Sequence, residues 1–461
     1  MRIQFLGGVE TVTGSQHVLE ANGHRVLRDC GLFQGRRDEA REINSHLCCR
    51  PETLDAVILS HAHIDHCGNL PSLAHAGYAK PIHATTATVE LAAVMLRDAA
   101  RIQEQDAAYL NQKTNRQGLP AISPLYTADD AEAAIKLFQG HRYGDEIEPA
   151  PGIRVLFQDA GHILGSAVNV FTLTENGKQS RVGFALDLGR KDLPLIRDPE
   201  FMRDLDLLVL ESTYGDRLHD DASSAESELG DAIGRTLARG GKVLIPSFAL
   251  ERAQEILYHL ANLFASGRVP RVPVYVDSPM TVELTRIFAK HHDYFDAETQ
   301  ALFVQLGNIL QPGWVRFAAS VEESKKITAN KEPCIIIAPN GMCEHGRILH
   351  HLKAGIGNPA NTILIVGFQA ANTLGRRLVE GATRVKIFGD EFVRRAEVLT
   401  LNAFSAHADR DELLAYVREV KPRKLALVHG EPNIRAALAQ SLRAAQTAPV
   451  LEPKTGESLD L

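Results

Sequence analysis

The chain has 461 residues, 44% of them hydrophobic and 23% charged, an ordinary globular mixture with material for a large core. At about 100–200 residues per domain, a chain of this length forms two to four compact units. The formal net charge of −7 provides no overall attraction for nucleic acid, so any basic binding surface must be local.

Simple patterns argue against a membrane protein and against a disulfide scaffold. No apolar run reaches the about 18 residues that a membrane span needs, and the N-terminus lacks a signal-peptide pattern. The six cysteines are scattered and none stands in a CxxC arrangement, so we expect free thiols in a reducing compartment. We therefore expect a soluble, cytoplasmic protein.

The first part of the chain predicts strands, a long helical interval and then antiparallel hairpins. Residues 55–59 (DAVIL) predict a buried strand, and residues 85–112 are rich in Ala, Leu, Gln and Glu, which favours helix. Further strands are predicted at 153–157, 167–173 and 181–186. Asn176-Gly177, between the last two, is typical of a hairpin turn, so we expect antiparallel pairing there.

After residue 206 the pattern changes to strands that alternate with helices. Apolar strands are predicted at 207–210, 243–245, 274–276, 335–337 and 363–366. The last four lead through polar loops toward helices such as 250–263, which is typical of a mainly parallel sheet. Ligands bind such sheets at the carboxyl ends of the strands. From Glu397 the chain returns to strand, loop and helix, with a late strand at 425–428.

A cluster of metal-ligand residues follows the strand at 55–59. The sequence His61-Ala-His63-Ile-Asp65-His66 places three imidazoles and a carboxylate within six positions. In an extended backbone His61 and His63 point to one side and can share an ion. Asp65 and His66 lie just beyond and can reach a second ion. Imidazole and carboxylate are ligands that zinc accepts.

Three more candidate ligands stand at the ends of other predicted strands. His162 lies in a loop beside Gly161, Asp187 follows an apolar strand, and His429 ends the strand at 425–428. Taken singly, each could be an ordinary histidine or loop aspartate with its hydrogen bonds satisfied. Taken together, they supply the ligands that a site for two ions still needs.

This set of motifs resembles the metallo-β-lactamase superfamily. The match rests on the HAHIDH segment, on Asp29 in a DCG segment before it, and on His162 and Asp187 after it. Three later segments resemble motifs A, B and C of the β-CASP branch, namely 211–214 (ESTY), 404–409 (FSAHAD) and 428–431 (VHGE). That branch includes ribonuclease J and the endonuclease subunit of the cleavage and polyadenylation specificity factor, whose short bacterial homologues this chain resembles most.

The resemblance implies a fold and a domain order. An αββα metallo-β-lactamase sandwich is expected from residues 1–215 and 397–461, with a parallel α/β β-CASP domain inserted at 216–396. It also implies two zinc ions, with manganese as a substitute. One zinc would be held by His61, His63 and His162, and the other by Asp65, His66 and His429. Asp187 would bridge them, and Asp29 would orient a ligand histidine from behind.

The chemistry that follows is hydrolysis of a phosphodiester. Water that bridges two divalent ions loses a proton near neutral pH and attacks phosphorus as hydroxide, with Asp65 and Asp187 among the residues that hold the ions. The resemblance implies that His407 protonates the departing oxygen and that Glu211 keeps His407 charged. His407 could instead be a zinc ligand or a structural histidine, and Glu211 an ordinary salt-bridge partner.

The substrate is expected to be RNA. Members of the branch that act on RNA have histidine in motif C, as here at His429. Backbone N–H groups near Ser247, Asn340 and Gly341 could approach phosphate, and a basic pair, Arg376 and Arg377, could contact the RNA backbone unless it is simply solvated.

Several alternatives stay open at this point. The site could serve a small-molecule hydrolase for thioesters or lactams, a DNA nuclease of the same branch, or a scaffold without activity. The sequence decides neither between endonuclease and 5′–3′ exonuclease action nor whether the protein forms the homodimer found in related proteins.

Overall fold

The computed structural model describes residues 1–114, 121–219, 224–367, 369–370, 372–401 and 403–461. Its strands are β1 (Arg2–Gly7), β2 (Gln16–Ala21), β3 (His24–Arg28), β4 (Ala56–Ile58), β5 (Ile82–Thr85), β6 (Phe138–His141), β7 (Glu146–Ala150), β8 (Ile153–Asp159), β9 (Ala167–Glu175), β10 (Lys178–Ala185), β11 (Leu207–Leu210), β12 (Val243–Pro246), β13 (Val274–Asp277), β14 (Val315–Ala318), β15 (Ile335–Ala338), β16 (Thr362–Ile365), β17 (Arg384–Ile387), β18 (Asp390–Val393), β19 (Glu397–Thr400), β20 (Leu425–Leu427), β21 (Val450–Leu451) and β22 (Ser458–Asp460).

Its helices are α1 (Arg37–Asn44), α2 (Ile64–Cys67), α3 (Leu70–His75), α4 (Thr86–Thr114), α5 (Ala128–Ile135), α6 (Ala225–Ala238), α7 (Arg252–Ala265), α8 (Pro279–Lys290), α9 (Ala297–Leu306), α10 (Val321–Ala329), α11 (Ile348–Gly355), α12 (Leu374–Val379), α13 (Arg410–Val420) and α14 (Pro432–Ala444), with short 3-10 turns at Pro51–Thr53 and His292–Tyr294. None of these helices is long and apolar enough to cross a membrane, within the part of the chain that the structure describes.

The described chain divides into two compact units. The first consists of Met1–Lys191, Asp198–Leu218 and His407–Leu461, and the second of Asp192–Arg197 and His219–Ala406. The first unit contains two seven-stranded sheets, in the orders β22-β1-β2-β3-β4-β5-β6 and β21-β20-β11-β10-β9-β8-β7. Each sheet is antiparallel at one side and parallel at the other.

The core of the first unit lies between its two sheets. Along β8 every second residue is buried, so Ile153, Val155 and Phe157 point to one face. There they pack against Phe171 and Phe184 of the same sheet and Phe5 of the other. β9 is buried on both faces because α13 and α14 cover the outer side of its sheet. Helices α3, α4 and α5 pack together beside the other sheet. The predicted αββα sandwich is confirmed.

The hairpin that the sequence indicated is present between β9 and β10. Asn176 and Gly177 have φ values of 52° and 74°, and their strands pair antiparallel from Glu175 and Lys178 onward. Two successive positive φ angles are the geometry for which the Asn-Gly pair is favoured in tight hairpins.

The second unit is built on a six-stranded sheet in the order β14-β13-β15-β12-β16-β19, in which all pairs are parallel. Its central strands are four-residue runs, apolar except for Thr362, that are buried throughout, as expected when helices cover both faces. This is the inserted parallel α/β domain that the sequence predicted.

The second unit extends beyond the predicted insert at 216–396. β19 was expected to belong to the returning sandwich, but it pairs with β16 and completes the parallel sheet. The unit therefore runs to Ala406, and it also includes Asp192–Arg197 from before the insert.

Candidate metal centre

Strand ends of the first unit position the seven predicted ligands. His61 and His63 follow β4, with His63 in extended backbone, and Asp65 and His66 lie on α2, which begins directly after His63. His162 follows β8. Asp187 follows β10 and His429 follows β20, with positive φ angles of 56° and 51°. Such backbone is uncommon for residues other than glycine, and strained residues of this kind cluster at functional sites.

The first ligand group consists of three histidines and an aspartate whose ligand atoms lie within 4.8 Å of one another, namely His61, His63, His162 and Asp187. His63 Nδ1 lies 3.0 Å from His61 Nε2 and 3.2 Å from His162 Nε2. Asp187 Oδ2 lies 3.2 Å from His61 Nε2. These four side chains thus turn their ligand atoms toward one point.

The second ligand group shares Asp187 with the first and adds Asp65, His66 and His429, again within 4.8 Å of one another. His66 Nε2 lies 3.3 Å from Asp187 Oδ2, and His429 Nδ1 lies 3.2 Å from Asp187 Oδ1. The two oxygens of Asp187 therefore face different side chains, since Oδ2 faces His61 and His66 and Oδ1 faces His429.

The donor set fits divalent ions of the zinc type. Burial, and then the neighbouring charge of His61, lower the pKa of His63 well below its usual value, so that its ring is neutral as a ligand must be. Among the described residues, Nε2 of His66 and Nε2 of His429 are buried without any hydrogen-bond partner. Buried polar atoms are nearly always paired, and a metal ion would satisfy both.

Asp29 lies behind the second group and fixes His66. It is fully buried, and its Oδ2 accepts hydrogen bonds from His66 Nδ1 at 2.7 Å and from Arg28 at 2.6 Å. Its Oδ1 accepts from the N–H of Ser60 at 2.8 Å. Burial alone would raise the pKa of Asp29, but Arg28, His66 and Ser60 outweigh it and hold the pKa well below its usual range. Asp29 is therefore a permanent acceptor for Nδ1 of His66, and Nε2 of that ring is left available to a metal ion.

We predict that Asp29→Asn weakens metal binding by about 10- to 100-fold, the usual effect of losing a partner of a ligand histidine. The measurement is competition with a chromogenic chelator. Asp460→Asn, in an exposed ion pair with Arg2, is the matched control and should bind metal normally. Unchanged metal affinity in folded Asp29→Asn would refute the orienting role.

His407 and Glu211 form a third group together with Asp187. His407 Nδ1 lies 3.3 Å from Glu211 Oε2, and its ring centroid lies 4.5 Å from that of His162. Glu211 is fully buried and also accepts the N–H of Leu188. Burial would lower the pKa of His407, but the Glu211 carboxylate outweighs it and raises the pKa to about 9. A partly exposed imidazole whose pKa is raised by Glu211 thus stands at the edge of the two ligand groups.

Two hydroxyl groups beside the ligands were missed by the sequence reasoning. Ser60 Oγ lies 3.0 Å from His61 Nδ1, and Thr213 Oγ1 lies 3.3 Å from His429 Nδ1. The available signal was their position, since Ser60 directly precedes His61 and Thr213 lies within motif A. Both contacts restrict the rotation of a ligand ring.

The predicted substrate-binding residues all belong to the second unit. Ser247 is 2% exposed, and it donates its N–H to Ala338 O and its hydroxyl to Phe248 O. The N–H and the hydroxyl of Ser247 itself are thus both used within the chain, and the expected approach of phosphate to this loop stays a prediction. Asn340 is half-buried and Gly341 buried, and Arg376 and Arg377 are exposed on α12. Arg376 forms an ion pair with Glu380.

Comparison with known families and proteins gives a consistent result. Residues 10–153 match the metallo-beta-lactamase superfamily, residues 253–378 match the Beta-Casp domain, and residues 393–452 match the Zn-dependent metallo-hydrolase RNA specificity domain. The chain is 38% identical to Ribonuclease TTHA0252 of Thermus thermophilus, with 96% of each chain covered.

Two relatives from Methanocaldococcus jannaschii are similarly related. One is an RNase J-like protein, 30% identical with 100% of this chain and 99% of the relative covered. The other is Transcription termination factor FttA, 32% identical, of which the chain covers 69% while 96% of this chain is matched. A crystal structure of an Enterococcus faecalis protein of unknown function has the same fold, with a TM-score of 0.57 at 14% identity over 100% of this chain and 99% of that one.

Proposed function

Because this chain belongs to the β-CASP branch of the metallo-β-lactamase superfamily, we propose that it is a two-zinc ribonuclease that hydrolyses phosphodiester bonds of RNA. One observation carries the proposal: Asp187 is common to two ligand groups and to the His407–Glu211 pair. Two sites for ions and a proton donor thus converge on one carboxylate. Manganese is expected to replace zinc in such a set of nitrogen and oxygen ligands.

Each part of this arrangement has a task in cleaving a phosphodiester. The bound ions would supply a water of lowered pKa and neutralise charge on the phosphoryl oxygens. His407 donates a proton to the departing oxygen of the RNA chain, and Glu211 holds the ring in its charged form. Asp29, Ser60 and Thr213 keep three ligand rings in fixed orientations, so that little reorganisation is needed during the reaction.

RNA is favoured over other substrates by two features. His429 stands in motif C, where members of the branch that act on RNA have histidine. The relatives named above as ribonuclease and RNase J-like match this chain along nearly its whole length. We propose endonucleolytic cleavage as the principal mode, with 5′–3′ exonuclease action as an additional one.

The test uses one RNA labelled separately at its 5′ and 3′ ends, incubated with zinc-loaded protein with and without a chelator. Internal fragments from both labels are expected, and chelator should abolish them. Single nucleotides released from the 5′ label alone would indicate exonuclease action. Cleavage that survives the chelator would contradict the proposal.

Two parallel incubations separate the remaining alternatives. Single-stranded DNA of the same sequence should be cut more slowly than RNA, and S-lactoylglutathione, a thioester, should not be hydrolysed. Turnover of the thioester alone would assign the site to a small-molecule hydrolase.

We also propose a cytoplasmic location and a homodimer. The location is supported by the six cysteines, all of which are free thiols, as is usual in a reducing compartment. The homodimer is proposed from the resemblance to other members of the branch, and sedimentation velocity would test it.

A further inference from the structure

An exposed aromatic ring stands at the end of a central strand in the second unit. Phe248 is 45% exposed, although it follows β12 by only two positions and lies between Ser247 and Ala249, which are 2% and 6% exposed. Among the described residues the exposed large hydrophobic side chains include two other aromatic ones, Tyr109 and Phe388. Exposing a phenyl ring to water costs free energy, and here the ring stands alone between two buried neighbours.

The backbone that carries the ring is hydrogen-bonded, and one edge of the ring is packed. Ser247, the residue before Phe248, fixes the backbone through two hydrogen bonds. Its N–H donates to Ala338 O at 3.1 Å, and its hydroxyl donates to Phe248 O at 2.9 Å. One edge of the ring rests on Gly341, where an added Cβ would lie 3.0 Å from two ring carbons. Gly341 thus provides the space for the ring. A side chain that is already ordered loses little entropy when a ligand binds.

Among the residues that the structure describes, the ring has no stacking partner. No aromatic ring and no cation lies over Phe248 in the described part of the structure. By contrast, the ring centroid of Phe388 lies 4.7 Å from that of His350 and 6.0 Å from Lys353 Nζ. An exposed face that is ordered, aromatic and uncovered is suited to a flat, unpaired base.

The position of Phe248 in the sheet also indicates a ligand site. From β12 the chain leads to β13 on one side, and from the adjacent β16 it leads next within this sheet to β19 on the other, so the connections diverge between β12 and β16. Ligands of open parallel sheets bind beyond the carboxyl ends of the strands at such a divergence. Phe248 follows β12, and Gly341 follows β15.

We propose that Phe248 is a stacking platform for one unpaired base of the RNA substrate, with Gly341 as its support. The inference rests on the proposed ribonuclease function and adds a base contact, which the sequence did not indicate. The ring would bind any base, because every base has a π face, and would therefore select single-stranded over paired RNA without reading its sequence.

The test compares Phe248→Ala and Phe248→Trp with the wild type on a single-stranded RNA and on bis(4-nitrophenyl) phosphate, a diester that has no base. We expect Phe248→Ala to raise KM for RNA by about 5- to 100-fold at little change in kcat. The ratio of kcat/KM for RNA to kcat/KM for the small diester should fall by the same factor. Phe248→Trp should restore it. Val304→Ala, which removes another exposed apolar side chain of the second unit, 89% exposed, is the matched control.

A second measurement locates the base. A series of RNAs, each with one abasic nucleotide, should contain one position at which the abasic change weakens wild-type cleavage but adds nothing to Phe248→Ala, since the two changes remove the same contact. Unchanged KM for RNA in Phe248→Ala, or equal losses at all abasic positions in both proteins, would overturn the proposal. Altered sedimentation of Phe248→Ala with normal RNA kinetics would assign the ring to contact between copies and would overturn it too.

Failure of this inference can be distinguished from failure of the proposed function. If the zinc-loaded wild type does not cut RNA, the ribonuclease proposal fails. The stacking contact is then decided by the affinity for the same RNAs, measured by fluorescence anisotropy, in which loss of the ring should still weaken binding.

Discussion

Asp187→Asn is expected to lower RNA cleavage by at least about 10³-fold, at the upper end of the losses seen when one electrostatic stabiliser is removed. The side chain is 2% exposed, and its two oxygens face His61 and His66 on one side and His429 on the other. The amide has no negative charge and only one acceptor oxygen, so both ligand groups lose a ligand at once. Elemental analysis and RNA kinetics on the same preparation measure the two losses together.

The matched control is Asp204→Asn. Asp204 has nearly the same positive φ, 56°, but is exposed, so the change tests the backbone conformation without touching the ligand groups. It should keep wild-type metal content and rate. If folded Asp187→Asn retained both ions and cut RNA normally, the shared carboxylate would have no role in the chemistry and the two-ion proposal would fail.

The fold could be predicted because its strands carry local patterns. The apolar run at 55–59 and the alternating β8 each specify a buried face, and Asn176-Gly177 specifies a tight turn. Parallel pairing of β19 could not be predicted in this way. Its residues Glu397–Thr400 are all half-buried and lack a continuous apolar run, so its partner β16 is determined by long-range contacts.

The candidate metal ligands also divide into a set that local sequence predicts and a set that depends on long-range contacts. His61, His63, Asp65 and His66 stand within six positions, so local geometry alone makes them neighbours. His162, Asp187 and His429 are far apart in the chain, and only the expectation that strand ends meet at one edge, together with the family motifs, connected them to the first four. The structure brings all seven together.

Contacts of the second unit were the least predictable. Ser247 and Phe248 are adjacent, and composition favoured the polar residue as the one that meets substrate. The structure reverses their exposure, because the N–H of Ser247 is used in the sheet and its hydroxyl bonds its neighbour's carbonyl. Which of two neighbours faces solvent at a strand end depends on the loop that packs on it, here Gly341, and the sequence does not contain that information locally.

His407→Ala is expected to lower kcat for RNA by about 10²- to 10⁴-fold, the contribution of a general acid, while metal content stays at the wild-type level. The departing oxygen of RNA is a poor leaving group and needs a proton. The 4-nitrophenolate ion leaves without one, so hydrolysis of bis(4-nitrophenyl) phosphate should fall much less. The measurement is the ratio of kcat on the two substrates, with metal content determined in parallel.

Glu211→Gln provides the matched comparison, since the amide oxygen can still accept the N–H of Leu188 but no longer holds His407 in its charged form. Like His407→Ala, it should lower kcat for RNA and leave hydrolysis of bis(4-nitrophenyl) phosphate much less affected. The double variant should be little worse than the more damaging single one, because both changes remove one proton donor. His46→Ala, at an exposed histidine of the same unit, should change neither the ratio of kcat on the two substrates nor the metal content.

Loss of an ion in His407→Ala would instead make His407 a ligand, and equal losses on the two substrates would exclude it as the acid. In either case the proton would have to come from water or another group, since the contact with Glu211 would then serve only to hold the imidazole beside His162.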